Sequence, residues 1–150
     1  MHPLAHMLTG ALIGQLAPNP AAAAFGGLLS HGVLDFVPHT EGETFGIRTT
    51  SPIRPDLIEA GVETIAGAVL LWQIGSGCTA ARAEHLAIGA VAALLPDLVD
   101  IPLKQFFGVT ILHVLRLHRT VKRRHAAWGI LTQAVTVGGA ALLLWLTTCR

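Results

Sequence analysis

The sequence predicts an all-α membrane protein, a multi-span helical bundle of about four to six helices. Hydrophobic residues make up 52% of the 150 positions and charged residues only 13%, and the mean hydropathy is +0.59. Ordinary soluble domains carry about 25% charged residues. No Asp, Glu, Lys or Arg occurs in residues 1–34 or 126–149. The second run exceeds the roughly 20 apolar residues that cross a bilayer, so we interpret residues 1–150 as one integral membrane domain.

The first two predicted helices, 4–17 and 21–37, are apolar and are separated by a Pro-Asn-Pro break. Neither comfortably reaches the length of a span, so we expect a short hairpin or two tilted spans. The first helix contains Gly10 and Gly14, small residues whose spacing lets membrane helices approach closely. Asn19 suits the cap of the second helix.

A polar loop, residues 39–56, precedes the third predicted helix, 56–74. Glu59 and Glu63 lie in the first turns of this helix, where acidic side chains suit the helix dipole. The fourth helix is predicted over 80–95 from its apolar pattern.

Two prolines, Pro96 and Pro102, bracket two acids after the fourth helix, and a helix is expected to end before such a proline. A mixed helix over 104–118 is predicted next. The final span, 126–148, is the clearest, and it ends near a tryptophan, which membrane interfaces favour.

A basic segment, residues 116–125, precedes the final span. It holds five of the ten Lys and Arg residues within nine positions. Such a cluster favours the cytoplasmic side of a bacterial-type inner or plasma membrane, with membrane lipid as a partner. We expect no nucleic acid, because neither interleaved aromatic residues nor a recognised nucleic-acid-binding motif accompanies the cluster.

A short internal similarity predicts two weakly similar halves. His6 stands four residues before Gly10 and His85 four residues before Gly89, and each helix then runs to a proline. Halves of this kind face each other around one site in several membrane folds.

The most informative stretch carries His31, Asp35 and His39 at intervals of four residues in an apolar run. On a helix this spacing stacks the side chains on one face, and imidazole with carboxylate is a donor set for zinc or manganese. Pro38 indicates that the helix ends before His39. The alternative is a polar seam that hydrogen-bonds to other helices.

Further ionisable residues lie within apolar runs. They are His6, His31, Asp35, Asp97, Asp100 and His113. Such groups are costly in a membrane unless they pair or share a cation. A divalent metal removes that cost by neutralising carboxylates and binding neutral imidazole. The absence of a Gly-x-Ser-x-Gly elbow and of a phosphate loop argues against serine-nucleophile and nucleotide chemistry.

These segments resemble the membrane-bound metal-dependent hydrolases, the group that includes the LexA-binding inner-membrane-associated hydrolase family. That family has an early His on a Gly-containing helix, Leu-Pro-Asp-x-Asp, His-Arg-x-x-x-His and Ser-His-x-x-x-Asp followed by Pro. The corresponding residues here are His6 with Gly10 or His85 with Gly89, Leu95-Pro96-Asp97 with Asp100, His118-Arg119 with His125, and Ser30-His31 with Asp35 and Pro38. The spacing of the second and third segments and the order of the fourth depart from the pattern.

The residue types and the resemblance predict a site for a divalent metal, zinc or manganese, in a hydrolase of phosphate or other esters. The predicted ligands are His6, His31, Asp35, His39, Asp97, Asp100, His118 and His125. Asp100 and His118 are also catalytic candidates, since an acid or histidine off the metal would act as general base. Arg119 would stabilise an anionic substrate. The alternatives are a non-catalytic membrane protein, such as a small transporter or scaffold, and a soluble helical bundle.

Overall fold

The structure is a computed structural model that describes residues 2–40, 55–107 and 126–147. These residues form five α-helices, which confirms the all-α class. The helices are α1 Pro3–Leu16, α2 Pro20–Phe36, α3 Pro55–Gly75, α4 Ala80–Phe107 and α5 Ala126–Thr147. Except for α4, each begins and ends within one residue of its predicted bounds. Most of the polar loop and the whole basic segment lie outside the described residues.

Residues at and next to its two ends determine where α2 begins and stops. The backbone N–H of Ala22 donates to Asn19 Oδ1 at 2.9 Å, so the predicted cap is present. Proline at the first position of the helix has no N–H that needs an acceptor. At the other end Val37, which precedes Pro38, is extended with φ −72° and ψ 127°. His39 therefore lies beyond the helix, off the face that carries His31 and Asp35.

The predicted break at Pro96 is wrong, because α4 is one helix of 28 residues that continues through both prolines. A proline in a helix removes one intrahelical hydrogen bond, here the one to the carbonyl of Ala92. Neighbouring helices can compensate for such a loss in a membrane protein. The next carbonyl, that of Ala93, accepts a hydrogen bond from His31 Nδ1 of α2 at 2.7 Å.

Helix α1 is the centre of the bundle, since it packs against each of the other four helices. It runs antiparallel to α4: His85, in the second turn of α4, donates from Nδ1 to the carbonyl of Ala17 after the end of α1, at 3.1 Å. The apolar core of the bundle lies along α1. Its larger members are Leu8, Leu71, Leu86, Leu94 and Leu144.

Glycines form the contact between α1, α2 and α4. A Cβ added to Gly89 would lie closer than 3.0 Å to the carbonyl oxygen of Gly10, and one added to Gly27 would meet the carbonyl of Gly89 equally closely. The backbones of the three helices therefore touch, as small residues permit. The two halves of the predicted internal similarity meet here, at Gly10 and Gly89.

Two described helices are long and apolar enough to cross a membrane by length and composition: Ile58–Gly75 within α3, and α5. Only 11% and 17% of these windows are buried, whereas the core helix of a soluble protein is mostly buried. Helices α1 and α2, with 14 and 17 residues, are shorter.

Candidate metal centre

Three side chains meet between α1 and α2, and we call them the buried centre: His6, His31 and Asp35. One nitrogen of each imidazole and one carboxylate oxygen all lie within 4.8 Å of one another. The three residues are 0%, 1% and 1% exposed. The helical spacing of His31 and Asp35 holds two donors on one face of α2, and the packing of α1 supplies the third. The buried centre could hold a metal ion.

The carboxylate of Asp35 lies between the two imidazoles. Its Oδ1 is 3.3 Å from Nε2 of His6, and its Oδ2 is 3.3 Å from Nε2 of His31. The imidazole rings are stacked, with centroids 4.0 Å apart and planes inclined by 19°. Neither nitrogen of His6, nor Nε2 of His31, has a hydrogen-bond partner among the described residues. Nε2 of each ring lies within ion-pair distance of Asp35, and buried polar atoms normally have a partner.

The bond between His31 and Ala93 fixes the role of one ring nitrogen. A carbonyl oxygen can only accept, so Nδ1 of His31 donates, and Nε2 carries a lone pair in the neutral ring or a proton in the imidazolium. Nε2 faces Oδ2 of Asp35 at 3.3 Å and Oδ1 of Asp97 at 3.8 Å. Two carboxylates around one nitrogen favour a positive charge between them, which a proton on Nε2 or a metal ion supplies. Metal-binding histidines usually donate their other N–H to a backbone carbonyl or a carboxylate, as His31 does.

The uninterrupted α4 brings the predicted Asp97 to the buried centre. Its side chain is 20% exposed, so it is an open edge of the buried centre. Asp100 follows three residues later and is half-buried. Residues spaced in this way share a helix face, so Asp100 lies further out along the side of α4 that carries Asp97.

The other predicted ligands are not brought together with the buried centre in the described part of the chain. His39 is fully buried in the segment after α2, where its Nδ1 donates to the carbonyl of Val37 at 2.8 Å. His118, Arg119 and His125 lie outside the described residues, as does His113.

Two polar residues of α5, which belong to no sequence motif, contact the segment after α2. The amide of Gln133 donates to the carbonyl of Thr40 at 2.8 Å and accepts from its hydroxyl at 2.7 Å. The hydroxyl of Thr132 bonds to the carbonyl of Pro38. The signal available in the sequence was a pair of polar side chains inside an apolar span.

A second set of donors lies at the start of α1, and we call it the outer group: His2, Glu59 and Glu63. Nδ1 of His2 is 2.7 Å from Oε1 of Glu63 and 3.4 Å from Oε1 of Glu59. The backbone N–H of Leu4 also donates to Oε2 of Glu63, at 3.3 Å. The acidic pair of α3, which the sequence assigned to the helix dipole, therefore also binds the N-terminal end of α1.

The outer group gives a pH-dependent prediction for metal-free protein. The hydrogen bond that His2 donates to Glu63 holds the pKa of His2 above its ordinary 6.5, against an opposing effect of burial. Because the pKa of His2 is higher in the folded state than in the unfolded state, protonated His2 stabilises the fold. This stabilisation is complete below the unfolded pKa of 6.5 and is lost as pH rises through the higher folded pKa. An NMR titration should place His2 above 6.5, and Glu63→Gln should lower its pKa. A pKa of His2 that Glu63→Gln leaves unchanged would contradict this origin of the shift.

Comparison with known proteins returns no protein-family model, no curated protein and no solved structure that matches this chain. Membership of the metal-dependent hydrolase group stays a prediction from the motifs.

Proposed function

We propose that this chain binds one divalent metal ion at the buried centre and is a membrane-bound metal-dependent hydrolase of phosphate or other esters. The observation that carries the proposal is the convergence of buried donors of His6, His31 and Asp35 within 4.8 Å of one another, with Asp97 beside them. Two imidazoles with a carboxylate are a donor set of catalytic zinc sites, which keep a further position for water. Manganese is the second candidate, because carboxylate oxygens suit it.

The residues of the site divide into positioning and proton-accepting roles. When bound, a divalent metal supplies a water of lowered pKa and polarises an ester oxygen. The carbonyl of Ala93 orients the ring of His31, and burial of the centre excludes bulk water. Asp97, at the open edge, is positioned to accept a proton. Asp100 and His118 as further bases, and Arg119 as the group that binds an anionic substrate, remain predictions from the sequence.

The membrane assignment extends in this proposal to all five helices as a multi-span bundle. Helix α2 buries His31 and Asp35 but exposes large apolar side chains on its other face. These are Phe25, Leu28, Leu29, Val33 and Phe36. A helix with a polar inner face and an apolar outer face suits a lipid environment, where ionisable residues point into the bundle. Since α5 follows the basic segment, we assign its N-terminal end to the cytoplasmic side.

Metal analysis of detergent-purified protein tests the proposal. Wild-type protein reconstituted with zinc or manganese should retain about one tightly bound ion, as a closed three-ligand site requires. His31→Ala and Asp35→Ala should both lose that ion and any metal-dependent hydrolysis of a nitrophenyl phosphate or nitrophenyl ester. Glu84→Gln, an exposed acid in the first turns of α4, is the matched control and should retain both.

The outcome decides between the two candidate functions. Wild-type protein without a stoichiometric ion would refute the metal centre. A bound ion without metal-dependent hydrolysis would favour the non-catalytic alternative, a transporter or scaffold, because paired acids and histidines inside a membrane also serve ion and proton pathways. Extraction of the protein from membranes by carbonate would refute the membrane assignment and favour a soluble bundle.

A further inference from the structure

The outer group offers the same types of ligand as the buried centre. One nitrogen of His2 and one oxygen each of Glu59 and Glu63 lie within 4.8 Å of one another, a spacing that one metal ion can bridge. The side chains are 19%, 45% and 23% exposed, so the outer group is open to solvent while the buried centre is closed.

The charges of the outer group are not balanced by its own members. Glu59 and Glu63 are both carboxylates, and both lie at the start of the span-length part of α3, Ile58–Gly75. His2 brings at most one positive charge to these two negative charges. A divalent cation would balance both carboxylates and leave His2 as a neutral nitrogen ligand.

The outer group lies next to the buried centre along α1. The backbone N–H of His6 reaches the carbonyl of His2 at 3.4 Å, so the two histidines are one helical turn apart. Further along the same pair of helices, Gly67 of α3 packs against the side chains of Leu4 and Met7, which keeps α3 close to this end of α1. An ion that reaches donors buried to 0–1% exposure needs a route from solvent, and the outer group lies one turn further towards the end of α1.

We propose that His2, Glu59 and Glu63 form a second divalent-cation site, through which the ion passes to the buried centre. The existence of the second site depends only on the outer group, whereas the passage of the ion rests on the proposed metal centre. The acidic pair would concentrate cations at the open end, as charged clefts do, and His2 and His6, one helical turn apart, would connect the two sites.

Manganese binding to full-length, metal-free protein in detergent tests both parts. Wild-type protein should bind two Mn²⁺ ions, one tightly and one weakly, measured by calorimetry and by the loss of free Mn²⁺ signal in electron paramagnetic resonance. The double variant Glu59→Gln, Glu63→Gln should lose the weak ion and fill the buried centre at least about tenfold more slowly. Glu84→Gln controls for the loss of an exposed acid, and His2→Gln tests the site without altering α3.

The failures of the two proposals differ. If the double variant and His2→Gln both bind two ions at the wild-type rate, the outer site is refuted. If these variants lose the weak ion but fill the buried centre at the wild-type rate, the passage of the ion is refuted and the second site stands. Asp35→Asn should keep the weak ion and lose the tight one. A single ion that Asp35→Asn retains and the double variant loses would refute the buried centre and leave the outer site.

Discussion

Chelation of divalent metal should lower the thermal unfolding midpoint of the wild-type protein and leave that of Asp35→Asn almost unchanged. An ion that binds only the folded state at about 100 times its Kd stabilises that state by about 2.7 kcal/mol. Nε2 of His31 and the carboxylate of Asp35, 3.3 Å apart, would both bind the ion. Asparagine keeps the shape of the side chain but removes the charge that binds the ion, so this variant has little bound metal to lose.

Differential scanning fluorimetry in detergent, with and without chelator, measures the effect. Glu84→Gln should respond to the chelator like the wild type, because this exposed acid is not part of the buried centre. A wild-type midpoint that does not change with chelator would contradict a structural contribution of metal at this site. An equal response of Asp35→Asn would show that the stabilising ion binds elsewhere.

Gly89→Ala should destabilise the bundle by about 3 kcal/mol, the upper part of the usual range for overpacking. The added methyl group would meet backbone atoms of Gly10 and Gly14, which cannot move aside as a flexible side chain can. Displacement of α4 would also take Ala93 and Asp97 away from His31, so metal affinity should fall together with stability.

The matched control is Gly138→Ala in α5, where an added Cβ meets nothing within 4 Å. Alanine is the better helix former, so this change should leave the free energy of unfolding unchanged or raise it by up to about 1 kcal/mol. Unfolding by a denaturing detergent, followed by circular dichroism, compares the two variants. Equal stability of Gly89→Ala and Gly138→Ala would contradict the close packing of α1, α2 and α4.

Features set by neighbouring residues were predictable from the sequence. The cap at Asn19, the end of α2 before Pro38 and the shared face of His31 and Asp35 all depend on interactions within a few residues. The continuity of α4 was not predictable, because whether a proline ends a helix depends on the helices packed around it as well as on the helix itself. The helix-breaking rule used at Pro96 considers the helix alone.

Contacts between residues far apart in the sequence were the other feature that could not be predicted. The sequence identified His6 as a candidate, but its position beside Asp35 depends on the close packing of α1 against α2 and α4. The role of Glu63 was missed because its partner His2 precedes it by 61 residues, with no local pattern to connect them. Gln133 was missed for the same reason, since its partner Thr40 lies 93 residues earlier.

The glycine contact closes the space between α1, α2 and α4 at the level of Gly10, Gly27 and Gly89. His6 lies on one side of it and His85 on the other, where His85 is bonded to Ala17. Between them the backbones at Gly10 and Gly89 leave no space for a methyl group, and hence none for a hydrated ion. A solute could therefore pass between these three helices, from the side of His6 to the side of His85, only if Gly10 and Gly89 separated. The close backbone contact thus separates the two histidine-bearing ends of the three-helix interior from each other.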